Sequence, residues 1–207
     1  MTRANLLLTD YDAVGPLRVE DLVKVAAPLS ALLTQELDGA AEVLGLMSDE
    51  ILIAALGRAI ERTIGEGLVA LDVPSYGTSV HSMTLRCAAP AQAPADEVLA
   101  GVHDGLQALK ARRIVHGVPD DTRSQPVSEL LFVGGDTAAG RPHLGHALEL
   151  RAYRAGDVIA LDWWFDPRSF EPYTVEELAE QFPLALIELT SEATPPVHAT
   201  PELAMAH

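Results

Sequence analysis

The sequence predicts an α/β (α+β) layer sandwich: a mixed sheet with an antiparallel C-terminal hairpin and helices packed on it. Three observations carry this reading. A capped, amphipathic helical pattern runs through "MSDEILIAALGRAIERTIGEG", residues 47–67. Period-two alternation marks "SVHSMTLRC", residues 79–87, and both arms of "HALELRAYRAGDVIALDWWF", residues 146–165. Hydrophobic residues make up 48% of the 207, enough to fill a sizeable core.

Taken in chain order, residues 1–15 are expected to form an opening strand or arm with a polar turn from Asp10 to Gly15. Residues 19–44 read as helix, broken near Pro28. In the next helix Ser48 is the expected N-cap, and Asp49 and Glu50 complement the positive end of the dipole. Leu52, Ala55, Leu56, Ala59 and Ile60 recur at helical spacing, opposite Arg58, Glu61 and Arg62, until Gly65 ends the run. "GLVALDV" (67–73) is strand-like and closes on Pro74, Ser75 and Gly77. In 79–87, Val80, Ser82, Thr84 and Arg86 alternate with His81, Met83, Leu85 and Cys87. A helix over about 95–111 spaces Leu99, Val102, Leu106 and Leu109 along one side. Residues 112–126 read as loop, "VSELLFVGG" as strand and "GDTAAGRPHLG" as a second loop. The hairpin turns at Arg154 to Asp157, where Gly156 can take positive φ. Thr174 and Glu177 make a capping-box pattern for a last helix, with Pro183 expected to kink it. No repeat or long linker divides the chain, so residues 1–192 are expected to be one domain and 193–207 a loose tail.

Charge and motifs exclude more than they select. The formal net charge of −16 disfavours nucleic acid or an anionic membrane as partner. One cysteine, Cys87, rules out an intrachain disulfide, in keeping with a cytoplasmic location, and reads as a small core residue. The apolar run Leu6 to Leu8 is too short for a signal peptide, and no run is long enough to span a membrane. The seven histidines show no HExxH spacing, and His143 and His146 straddle a strand start rather than a helix face. His103, Asp104 and Gly105 read as a surface helix face interrupted by glycine. No GxGxxG, GxxxxGK[ST] or GxSxG motif is present; neither Ser75 nor Ser128 sits in a nucleophile elbow. The sequence thus offers no catalytic set, no cofactor site and no metal site. Trp163 and Trp164 should point to opposite faces of their strand, one under the last helix and the other toward a second layer, a partner or solvent.

The order of elements resembles a known family. "LMSDEILIAALGRAIERTIGEGLVALDVPSYGT" is similar to the helix–strand unit in the second half of nonribosomal peptide synthetase condensation and epimerization domains, of the type "NDVLLAAL…VLVDVEGHGR". "SELLFVGGD" resembles that family's "FNYLG" strand. "LDWWFDPRSFEPYTVEELAEQF" resembles its terminal "LDWSYDPxxFDxxTVExLAxxF". The resemblance implies half of a two-lobed, chloramphenicol acetyltransferase-like fold of the CoA-dependent acyltransferase superfamily. It places this chain as the C-terminal lobe, without the HHxxxDG motif of the other lobe. The family's epimerization glutamate falls on Pro74, and its Asn-Tyr pair on Val133 and Gly134. Those side chains neither donate nor accept a proton. Asp72, Gly77, Phe132, Asp162 and Asp166 match the pattern, and turn geometry, packing and ion pairing account for them.

Three readings follow from the resemblance. The first is a stand-alone, non-catalytic lobe acting as scaffold or partner in nonribosomal peptide or related secondary metabolism. Its apolar face would be covered in a homodimer or by a synthetase or carrier-protein partner. The second is an oligomeric acyl- or peptidyl-transfer or tailoring enzyme, with His81 or His116 as its base. The third is a small-molecule-binding protein that uses the cleft.

Overall fold

The structure is a computed structural model, which describes residues 4–15, 17–74, 80–116, 128–135, 138–143 and 145–194. A short 3-10 turn, Val19–Asp21, precedes β1 (Val23–Ala26), α1 (Ala31–Leu44), α2 (Ser48–Thr63), β2 (Gly67–Pro74) and β3 (Val80–Cys87). Then follow α3 (Ala95–His116), β4 (Leu130–Gly134), β5 (Leu148–Ala155), β6 (Val158–Phe165) and α4 (Pro172–Glu192). The strands form one mixed sheet in the order β1-β6-β5-β4-β2-β3. β2–β4 and β4–β5 are parallel, and the other pairs are antiparallel. This is the layered α/β architecture expected, with the antiparallel β5–β6 hairpin in place.

Alternation along the strands sorts the two faces of the sheet. Leu71, Leu85, Phe132, Leu150 and Trp163 join the large core beneath the helices. Leu131, Val133 and Ala138 form a small second cluster on the opposite face, which no described helix covers. Trp163 is fully buried and meets the Phe182 ring edge-on at 5.6 Å, under α4. Trp164 points the other way, and Lys24, its cross-strand partner on β1, lies over its ring at 5.6 Å.

α2 is the central helix. Every residue from Glu50 to Ile60 is buried, although the helix carries Glu50 and Arg58. The Arg58 guanidinium donates to the carbonyls of Ala88 and Ala93, and its Nε faces Glu188 Oε1 of α4 at 3.1 Å. Arg62 reaches the same carboxylate from a more exposed position. Gly57 lets β3 approach closely: a Cβ there would lie 2.9 Å from the Arg86 carbonyl oxygen.

Several elements depart from the sequence expectation. Residues 19–44 are not one broken helix, because residues 23–26 pair with β6 as an edge strand and α1 starts only at Ala31, capped by Ser30 Oγ. At α2 the N-cap is Met47 rather than Ser48, and the Glu50 carboxylate returns to accept the Met47 N–H at 2.8 Å. α3 continues past 111 to His116, and the rest of the expected 112–126 loop lies outside the described residues. The hairpin loop is only Gly156-Asp157, with Gly156 at φ 63°; Arg154 and Ala155 belong to β5. The Thr174–Glu177 capping box does not form, because α4 already begins at Pro172. Asp10 takes over, accepting from the Glu171 N–H at 2.8 Å and the Thr174 hydroxyl at 2.9 Å. α4 runs on through Pro183. The N-terminal arm lies along β2, where the Asn5 and Leu6 N–H groups donate to the Leu68 carbonyl, but it is not a strand. Of the expected tail, residues 195–207 lie outside the described residues.

Truncating Arg58 to alanine leaves two buried carbonyls without donors and takes one cation from Glu188. The expected cost is about 3 kcal/mol, read from the urea unfolding midpoint. Arg62→Ala, at the more exposed end of the same pair, should cost less than about 1 kcal/mol.

Candidate functional site

Two polar places border the parallel strands, one on each face of the sheet. On the helix face the N-terminus of α2 overhangs the end of β4. Gly134 has no side chain, and a Cβ there would collide with the Asp49 carboxylate. Asp49 therefore occupies the space that a side chain at 134 would fill. It borders a small cavity of about 130 Å³ with Ser48, Leu52, Gly135, Arg154 and Ile159. Burial, with a smaller contribution from the neighbouring Glu50, pushes the Asp49 carboxyl above its ordinary value. Glu50 itself pairs with His103 Nδ1 at 3.1 Å. The HDG stretch is therefore not plain surface: His103 is tied to α2, and Gly105 faces Met83 of β3.

On the opposite face, two buried carboxylates each hold a histidine. Asp72, fully buried, accepts from the Ser82 hydroxyl and from His146 Nε2 at 2.9 Å. Glu149 accepts from the His143 N–H at 2.6 Å, lies 3.2 Å from His143 Nδ1, and pairs with Arg151 at 2.7 Å. Arg151 in turn donates to the carbonyls of Ala138 and Arg141, which straps that loop onto the sheet. An ionised carboxylate only accepts, so the paired nitrogen of His146 carries the hydrogen. Its other nitrogen, Nδ1, is buried without a partner among the described residues. Further along this face, Asp162 bridges Lys24 and Tyr153, each at 3.2 Å.

The sequence-flagged residues scatter over this frame. Pro74 ends β2, and Val133 and Gly134 lie on opposite faces of β4. His81 is half-buried on β3, and its side chain makes no hydrogen bond among the described residues; the side chain of His116 lies outside them. No described residues converge on His81 as on a base. Cys87 is buried and its thiol is pushed up to about 12, chiefly by desolvation, which suits the core role expected of it. Asp166 accepts from Arg168, whose hydrogen bonds hold the carboxyl below its ordinary value. His143 and His146 serve different carboxylates, and no group of three metal-ligating side chains forms among the described residues. The sequence did not reveal the Asp72–His146 contact, which joins residues 74 apart, or the Asp49–Gly134 contact. The one local sign of the latter is the Gly134-Gly135 pair.

The fold is that of half a condensation or epimerization domain. The epimerization domain from the third module of tyrocidine synthetase B superposes with a TM-score of 0.66 at 13% identity, over 92% of this chain and 52% of that one. The X-domain in its complex with OxyB from teicoplanin biosynthesis gives 0.66 at 17%, over 92% and 50%. The condensation domain of Monacolin K polyketide synthase MokA gives 0.64 at 11%, over 92% and 53%. In sequence, the chain is 32% identical over 247 aligned residues to a subunit of the phenolphthiocerol/phthiocerol polyketide synthase of Mycobacterium tuberculosis. That alignment takes in 95% of this chain and 16% of the synthase polypeptide; the Mycobacterium bovis protein matches to the same extent. No protein-family model matches the chain. No described helix is long and apolar enough to cross a membrane.

The raised Asp49 carboxyl has a consequence with a definite sign. A carboxyl whose folded value lies above the unfolded one, near 3.8, costs stability as pH rises through the unfolded value, and in full above the folded one. That cost is absent below 3.8. Asp49→Asn is expected to raise the thermal midpoint at neutral pH and to show no gain at pH values below 3.8.

Proposed function

We propose that the chain serves modular polyketide or nonribosomal peptide biosynthesis as a non-catalytic, condensation-type C-terminal lobe: a scaffold or docking partner in the cytoplasm. The observation that carries this is a retained fold with altered chemistry. Where the resemblance implies a glutamate and an Asn-Tyr pair, the chain has Pro74, Val133 and Gly134, none with a proton to give or take. The Asp49 carboxylate fills the space over Gly134.

Three comparisons support the biosynthetic setting and the docking role. The sequence relative is part of a polyketide synthase. One structural neighbour is a polyketide synthase condensation domain. Another is an X-domain captured in complex with a second protein, OxyB. Large apolar side chains also stand exposed on the outer surfaces of α1 and α4: Leu32, Val43, Leu184 and Ile187. The occupant of this surface is a second copy of the chain or a synthetase protein.

Light scattering at micromolar concentration, paired with affinity capture from the source cell, tests the reading. A dimer, or a captured synthetase or carrier protein, is the expected outcome. A monomer that captures neither overturns it. Loss of a detected acyl- or peptidyl-transfer activity on His81→Ala would instead favour an enzyme.

A further inference from the structure

α4 turns one side to the core and leaves an ordered row on the other. Val175, Leu178, Phe182, Leu186 and Leu189 are buried. On the opposite side Tyr173, Glu177, Glu180, Leu184, Ile187 and Ser191 follow one another in alternating steps of four and three residues. Those steps average the period at which a helix presents one straight seam to a second helix. The apolar members of the row stand in solvent: Tyr173 is 72% exposed, Leu184 53% and Ile187 45%. The core of this chain uses none of them, and the row is long enough, about 27 Å, to run beside a partner helix of about 18 residues.

The charge around the seam has one sign. α4 contains no Lys or Arg, and the exposed Glu176, Glu180 and Glu192 have no ion-pair partner among the described residues. α1, packed beside α4, exposes Glu36 and Glu42 and also lacks Lys and Arg. The arginines that reach these two helices are already engaged, Arg58 and Arg62 by Glu188 and Arg154 by Asp38. A second copy laid on this face would set its carboxylates against the same carboxylates, in a chain whose net charge is −16.

We infer that the outer face of α4 seats an amphipathic helix of a different protein, with a stripe of Leu- or Ile-type side chains flanked by Lys or Arg. The apolar row supplies the contact, and the acids beside it select a basic partner and fix its orientation. The inference rests on the docking role proposed above and, of the two occupants named there, takes the other protein rather than the second copy.

Fluorescence anisotropy with three tagged peptides of about 18 residues tests it. The first has leucines at the seam spacing and lysines elsewhere. The second has glutamates in place of the lysines. The third shuffles the leucine–lysine composition so that no stripe forms. The first should bind saturably, and the other two at least about tenfold more weakly. Leu184→Gln with Ile187→Gln, both at exposed positions, should weaken the first peptide about tenfold. Glu176→Gln with Glu180→Gln should weaken it by about as much at low salt. Glu97→Gln with Asp104→Asn, the same loss of charge on α3, should leave it unchanged. The three peptides on the wild-type chain decide alone should a variant not fold. A shuffled peptide that binds as tightly as the striped one overturns the inference, and so does an equal loss in the α3 pair. A dimer in light scattering that the Leu184 and Ile187 changes abolish assigns the face to a second copy, which overturns the inference and leaves the docking role standing. A monomer that captures no synthetase or carrier protein overturns the docking role, and the inference with it.

Discussion

The structure depends on a helix buried on all sides that still carries an arginine. α2 has no solvent face between Glu50 and Ile60, so the Arg58 charge must be met inside the protein. Two carbonyls from the segment between β3 and α3, with a carboxylate from α4, meet it. That one requirement fixes two neighbouring segments around α2. Gly57 fixes a third, since only a residue without Cβ lets β3 come so near. With its middle held, α2 can point its first turn at the end of β4. Asp49 over Gly134 and Glu50 against His103 follow from that aim.

The other face of the sheet is organised differently. No described helix covers it, and apolar packing there is confined to a few side chains around Leu131 and Val133. Charge pairs do the holding instead. Glu149 and Arg151, two apart on β5 and so on one face, bind each other and clasp the 138–143 loop through its backbone. Asp72 does the same for the segment just before β5 through His146. Buried carboxylates are tolerable here because each is met by a histidine, an arginine or a hydroxyl.

Elements with a strong local period were legible in the sequence: α2, β3 and the β5–β6 hairpin. Alternation alone sent the two tryptophans to opposite faces; the structure decides which, Trp163 into the core and Trp164 out to Lys24. What the sequence hid was settled by distant partners. "VKVA" is four residues long beside a helical pattern, and it becomes a strand only because β6, far along the chain, offers an edge. Thr174 fits a capping box, but Asp10, 164 residues away, binds its hydroxyl, and Glu171 becomes the cap. The same limit governs the polar sites. Alternation places Asp72 on a face, yet it cannot say that His146 will meet it there. The resemblance located the positions where acid–base groups were missing. It could not show that a carboxylate from α2 stands above one of them.

β4 explains how the two faces can differ so much in chemistry. Val133 and Gly134 are consecutive, so the pleat sends them to opposite sides of one strand. Gly134 lies against Asp49, which borders the small cavity on the helix face. Val133 packs with Leu131 and Ala138 on the other face, beside the loop that Arg151 secures. A change at either position therefore alters one face and leaves the hydrogen bonds of the strand intact. A lobe built this way can lack acid–base groups on both faces of β4 and keep its fold. The Asp72–His146 pair, held by β2 and the segment before β5, is untouched by either change.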